Sequence, residues 1–197
     1  MRHRSRDPFR RLTPAHVTLR AVEGLPSLRT VRIVREIERT FARGCARSGF
    51  RLVHYSLQGN HAHLIVEAQD PDTLGRGMIA LGTRLARAVN RVAGRSGRVL
   101  ADRYHVRLLP TPREVRNALR YVLLNARRHS STARSTSKQA ARLDPASSGR
   151  WFDGWRHKRS EDEEETARKR SVASPRTWLL KIGWRRHGLL DPADVPG

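Results

Sequence analysis

The sequence predicts one α+β domain with basic extensions at both ends. Three observations lead there. Apolar residues alternate at period two, or recur at helical spacing, in the order strand, helix, strand, strand, helix, strand, helix. A Gly59-Asn60 pair separates two alternating runs, which is a hairpin signal. The chain has 197 residues, enough for one core of ordinary size.

The elements follow in order. Residues 1–13 are basic and aperiodic, and read as an arm that touches phosphates. His16 to Val22 alternates and is rich in β-branched residues, so it reads as a strand ended by Gly24-Leu25-Pro26. A helix is expected from about Ser27, with Val34, Ile37 and Phe41 on one face, Cys45 one turn on, and Ser48-Gly49 as its stop. Phe50 to Gln58 is a strand, with Val53, Tyr55 and Leu57 on one face and Leu52, His54 and Ser56 on the other.

The Gly59-Asn60 turn leads into a strand from His61. Asp70-Pro71-Asp72 caps a helix whose stripe is Leu74, Met78, Leu81, Leu85, Ala88 and Val92. Val99 to Leu109 reads as a strand or strand pair around Asp102-Arg103-Tyr104-His105. Thr111-Pro112-Arg113-Glu114 carries a capping Thr, a Pro at the first helical position and a Glu at the third, and opens a helix to about His129. This order is an antiparallel sheet with helices packed on one face, of the ferredoxin-like or RRM-like kind, whose open face suits single-stranded nucleic acid. Residues 130–197 read as a linker and basic, partly disordered tail, with a short helix near 175–187.

Composition narrows the function. The net charge is +22 and the pI about 11.8, which points to nucleic acid or an anionic membrane surface. No apolar run is long enough to span a bilayer, and Met1 to Arg6 leads into no apolar signal region. Cys45 is the single cysteine, so no internal disulfide forms. A cytoplasmic, nucleoid-associated protein is expected.

Two stretches carry chemistry. In Asn60-His61-Ala62-His63-Leu64-Ile65-Val66-Glu67, alternation turns His61 and His63 one way and Ala62, Leu64 and Val66 into the core. Paired imidazoles can bind one divalent ion, or they are ordinary histidines on a solvated face. In Leu119-Arg120-Tyr121-Val122-Leu123-Leu124-Asn125, the core stripe runs through Val115, Leu119, Val122 and Ala126. Tyr121 and Asn125 stand four apart at its edge. Tyr121 is then either a half-buried packing residue or a phenol beside a metal, with the Asn125 amide as a further ligand.

With both stretches in view, residues 14–129 resemble the single-tyrosine HUH transposases of bacterial insertion sequences, and more specifically the REP-associated tyrosine transposases. The resemblance implies that His61, His63 and Asn125 hold Mg²⁺ or Mn²⁺ and that Tyr121 is the nucleophile. It implies a covalent 5′-phosphotyrosine, a released 3′ hydroxyl, and a hairpin-forming single-stranded DNA substrate, handled by a monomer or homodimer. Arg103, Arg120, Arg127 and Arg128 adjoin the motifs as candidate phosphate contacts. Two positions depart from the family pattern: Ala62, where a bulkier apolar residue is commoner, and Ala126, where proline is often found.

Competing functions keep the fold and change the chemistry. One is a domesticated single-stranded DNA- or RNA-binding protein. A second is a replication initiator or relaxase, against which the small size and absence of a helicase segment count. A third is a zinc hydrolase using water, with Glu67 on the histidine face as its base. Tyr55, Tyr104, Trp151 and Trp155 are candidates for base stacking or, more simply, for packing.

Overall fold

A computed structural model describes residues 9–128, 143–157 and 169–194, and in the last helical turn at 126–128 the backbone only. Arm residues 1–8, most of the 130–150 linker and the acidic block at 161–165 lie outside the described residues. The strands are β1 (Thr13–Arg20), β2 (Ala46–Arg47), β3 (Phe50–Leu57), β4 (His61–Ala68) and β5 (His105–Leu108). The helices are α1 (Val31–Ala42), α2 (Pro71–Ala93), α3 (Pro112–Arg128) and the short α4 (Trp178–Lys181). The sheet order is β2-β3-β4-β1-β5, and every neighbouring pair is antiparallel. The fold is thus the expected α+β plan, with β4, which carries His61 and His63, at the centre and β1, which carries His16, beside it.

Alternation puts Ala15, Val17 and Leu19 of β1, and Ala62, Leu64 and Val66 of β4, into one core with α1 and α2. The α2 stripe packs there as its spacing predicts, from Leu74 to Ala88. Asp70 accepts the Thr73 N–H at 2.7 Å as N-cap, and Gly94 ends the helix at φ 61°. Gly77 has no room for a side chain, because a Cβ there would lie 2.2 Å from the Phe50 ring.

Three expectations change. α1 starts at Val31 and stops at Ala42, so Cys45 lies in the connection to β2 rather than on the helix. A bulge in β3 splits its faces: Leu52 pairs with Val66 and His54 with Ile65, which leaves Val53 as the extra residue. Leu52, Tyr55 and Leu57 therefore face α1 and α2, while Val53 turns to the opposite core. The open sheet face is also covered. α1 and α2 hold one face, and α3 packs against Val53 and Ile65 on the other.

The described residues of the region read as a linker and tail, 143–157 and 169–194, pack into both cores. Their chain carries no helical or strand period; individual anchors hold it instead. Asp144 takes both terminal nitrogens of Arg29 at 2.8 Å each. Ala146 accepts the Leu57 N–H at 2.9 Å, and Ala173 donates to Leu52 O at 2.8 Å. These contacts cover the edge of β3 beyond its short pairing with β2. Phe152, Leu180, Trp184 and Leu190 then join the cluster that α3 forms with Val53 and Ile65. α4 and a 3-10 turn at Gly183–His187 stand where the short helix was expected.

His54 lies in this layer, 3.1 Å from Ser148 Oγ and edge-on to Phe152. Burial, and secondarily Arg170, lowers its pKa from 6.5 to about 3. Between those values the unfolded chain binds a proton that the folded chain refuses. Stability from this group is therefore complete above the unfolded pKa and is lost as pH falls below it. Urea unfolding is expected to show stability falling by up to roughly 1.4 kcal/mol per pH unit from this group across that window, with a shallower slope in His54→Asn. An unchanged slope would contradict the account.

Candidate active site

The site forms where β1, β4 and α3 meet. Tyr121 is half-buried on α3, and its ring lies 5.1 Å from that of His63, edge to face. The His61 and His63 rings are nearly parallel, with centroids 6.4 Å apart. The α3 start that sets this register is the expected capping box: Thr111 Oγ1 accepts the Glu114 N–H at 3.3 Å and donates to Glu114 Oε2 at 2.8 Å.

Both histidines are held by oxygens at Nδ1. Asn60 Oδ1 lies 2.6 Å from His61 Nδ1. An amide oxygen only accepts, so His61 Nδ1 carries the proton and its Nε2 the lone pair. Thr18 Oγ1 lies 3.2 Å from His63 Nδ1. An oxygen at the second ring nitrogen is the usual way a metal-binding histidine is oriented. Partial burial, then the Arg20 guanidinium, holds His61 below the ordinary histidine range.

Asn125 is fully buried one turn beyond Tyr121. Neither polar atom of its amide has a hydrogen-bond partner among the described residues. A buried amide with both ends unmet costs a few kcal/mol on general grounds, and calls for a partner. Among the described residues no three His, Cys, Asp or Glu side chains group to hold a metal ion. The unmet Asn125 amide oxygen and the two imidazoles are a mixed oxygen and nitrogen donor set, whose chemistry fits a divalent ion.

One member of the cluster was missed by sequence reasoning. His16 of β1 lies 5.4 Å from the His63 ring and 5.7 Å from Tyr121. Its Nε2 is buried without a hydrogen-bond partner among the described residues. Burial, then Arg107, lowers its pKa to about 4, so it is neutral at physiological pH. The available signal was alternation: His16 and Thr18 share a face, and β1 pairs with β4 so that Thr18 meets His63.

Beside Tyr121 a groove of about 470 Å³ opens between β5 and α3. Arg107, Glu114, Asn117 and Arg120 supply its polar lining. Arg120 is the expected phosphate contact that reaches it. Arg103 is exposed in the loop before β5, and the side chains of Arg127 and Arg128 lie outside the described residues.

Other candidates are structural. Glu67 is completely buried. It accepts the Arg176 N–H at 2.8 Å, the Thr177 N–H at 2.7 Å and the Thr177 hydroxyl at 2.7 Å. That employment removes it as the base of a hydrolase. Tyr55 is buried, with its hydroxyl 3.0 Å from Ser171 Oγ, and Trp155 donates to Gly149 O at 2.9 Å. Trp151 and Tyr104 are partly buried against the α1/α2 core. No described helix is long and apolar enough to cross a membrane.

No family model matches the chain, and no curated protein matches it. Among solved structures it is similar to a REP-associated tyrosine transposase bound to a REP hairpin. The two share 14% identity over 66% of this chain and 75% of that chain, with a TM-score of 0.50. At that identity the likeness is one of architecture: this chain has the α+β fold of that transposase.

Proposed function

We propose that the chain is a metal-dependent single-stranded DNA endonuclease and strand transferase of the single-tyrosine HUH kind, acting on hairpin-forming DNA through Tyr121. The observation that carries this is the meeting of Tyr121 with His63 at 5.1 Å, one helical turn from the partnerless Asn125 amide. A purely binding module has no need of that combination. The neighbour of like fold was solved with a REP hairpin, and the charge of +22 suits a polyanion.

The chemistry follows from the side chains. His61, His63 and Asn125 would hold Mg²⁺ or Mn²⁺, which when bound offsets phosphate charge and makes phosphorus a better electrophile. Tyr121 loses its phenolic proton to solvent, and its oxygen forms a bond to phosphorus. The P–O3′ bond breaks, and the departing O3′ takes a proton. The 5′ phosphate stays on Tyr121 as a phosphodiester, so the bond energy is retained. A second 3′ hydroxyl can reverse the step and join strands without ATP.

Replacing His61 or His63 by Ala is expected to lower adduct yield by at least about a hundredfold, as loss of a phosphate-polarising group does elsewhere. Excess Mn²⁺ should recover part of it. Quantified denaturing gels across a metal titration read this. Full adduct yield in His63→Ala would contradict the assignment.

A further inference from the structure

The groove beside Tyr121 is not used by the chemistry above. We propose that it seats one unstacked base of the single strand, next to the phosphate that Tyr121 attacks, and selects a base carrying an amino group. The inference rests on the Tyr121 reading for its place along the strand, and on the groove's own chemistry for the rest.

Size comes first. At about 470 Å³ the groove lies within the roughly 300–1,000 Å³ range of small-molecule sites. That admits one nucleotide and no duplex. Its lining suits a base on both counts. Leu109 and Ala118 give an apolar wall, and the His16 and Tyr121 rings line it as well. Flat aromatic groups of this kind stack on bases.

The polar lining sets which edge faces it. Glu114 is ordered twice, by Thr111 at 2.8 Å and by Arg107 at 3.1 Å. The Thr111 hydroxyl, chiefly, lowers its pKa, so the carboxylate is ionised and only accepts hydrogen bonds. An acceptor-only group disfavours a bare phosphate and favours a base offering amino N–H donors. Adenine, cytosine and guanine each carry an amino group. Thymine offers one N–H flanked by two carbonyls, which the carboxylate repels. Asn117, exposed on the same face of α3 one turn before Tyr121, can donate and accept. The guanidinium groups of Arg107 and Arg120 leave the flanking phosphates a cationic side.

Capping of α3 explains Glu114 at its position but not why Glu114 and Asn117 line the same groove as Tyr121. Glutamine also serves a capping box, so Glu114→Gln separates the two roles. The probes are synthetic DNA hairpins with single-stranded flanks, each flank nucleotide changed in turn to all four bases. Fluorescence anisotropy is read in a Tyr121→Phe background, so that no cleavage occurs, and thermal melting of each variant checks folding.

One flank position is expected to bind thymine about tenfold more weakly than an amino-bearing base. That preference should collapse in Glu114→Gln and shrink in Asn117→Ala. No such position, or a preference unchanged in both variants, overturns the proposal. The wild-type adduct is scored separately. An adduct without base preference sinks the groove assignment alone. Base preference without an adduct keeps the groove and sinks the nuclease.

Discussion

A Tyr121→Phe variant is expected to form no covalent complex with hairpin DNA while binding it almost as tightly as the parent. The substitution removes one oxygen and keeps the ring that packs edge-on against His63 and His16. The fold and the cationic surface stay, so affinity, which rests on phosphate contacts, stays with them. The chemistry is lost outright because no other oxygen takes the place of the phenol. Tyr55 is wholly buried, and Tyr104 packs against the core of the opposite sheet face. Denaturing gels read the adduct and anisotropy reads the affinity. Loss of binding together with the adduct would instead make Tyr121 a structural or contact residue.

The second large effect is expected at Glu67, far from any nucleophile in role but on the same strand face as the histidines. Glu67→Ala leaves the Arg176 and Thr177 donors without their acceptor. Removing the carboxylate leaves two backbone N–H groups and a hydroxyl unmet, at about 1–3 kcal/mol for each donor that stays out of water. Those donors begin the segment that lays Leu180 and Trp184 on α3, so the consequence reaches the site. α3 loses these packing neighbours, and Tyr121 loses its fixed distance from His63. Urea unfolding should show the lost stability. Adduct yield should fall at temperatures where the parent is still fully folded. A variant as stable as the parent would mean that the latch is not what holds this layer.

Where local pattern decides structure, the sequence was readable. The β4 alternation sent His61 and His63 to one face and Ala62, Leu64 and Val66 to the other, because every second side chain must share a surface. The α3 start was written in Thr111, Pro112 and Glu114. The α2 stripe was written in its spacing. What stayed hidden depends on contacts between distant segments. The bulge at Val53 is invisible because Leu52 and Val53 are equally apolar, and only pairing to β4 shows which one is extra. His16 joins the site through the β1–β4 register, which no local pattern encodes. The linker composition of 130–150 hid the anchors Asp144 and Ser148, and although Trp151-Phe152-Asp153-Gly154-Trp155 offers aromatic surface for docking, nothing local says where it docks. Glu67 was read as a possible base because its partners lie more than a hundred residues away.

The most direct test of the central claim is mass spectrometry of the protein after reaction with hairpin DNA and Mn²⁺, followed by nuclease and trypsin. Trypsin cuts after Arg120 and Arg127, so Tyr121 leads the peptide that ends at Arg127. The account predicts that this peptide gains the mass of a 5′-phosphorylated nucleotide on Tyr121, and that the gain disappears with a chelator or in His63→Ala. An unmodified Tyr121 peptide from protein that binds the hairpin tightly in either metal, or the same mass on Tyr104, would contradict it.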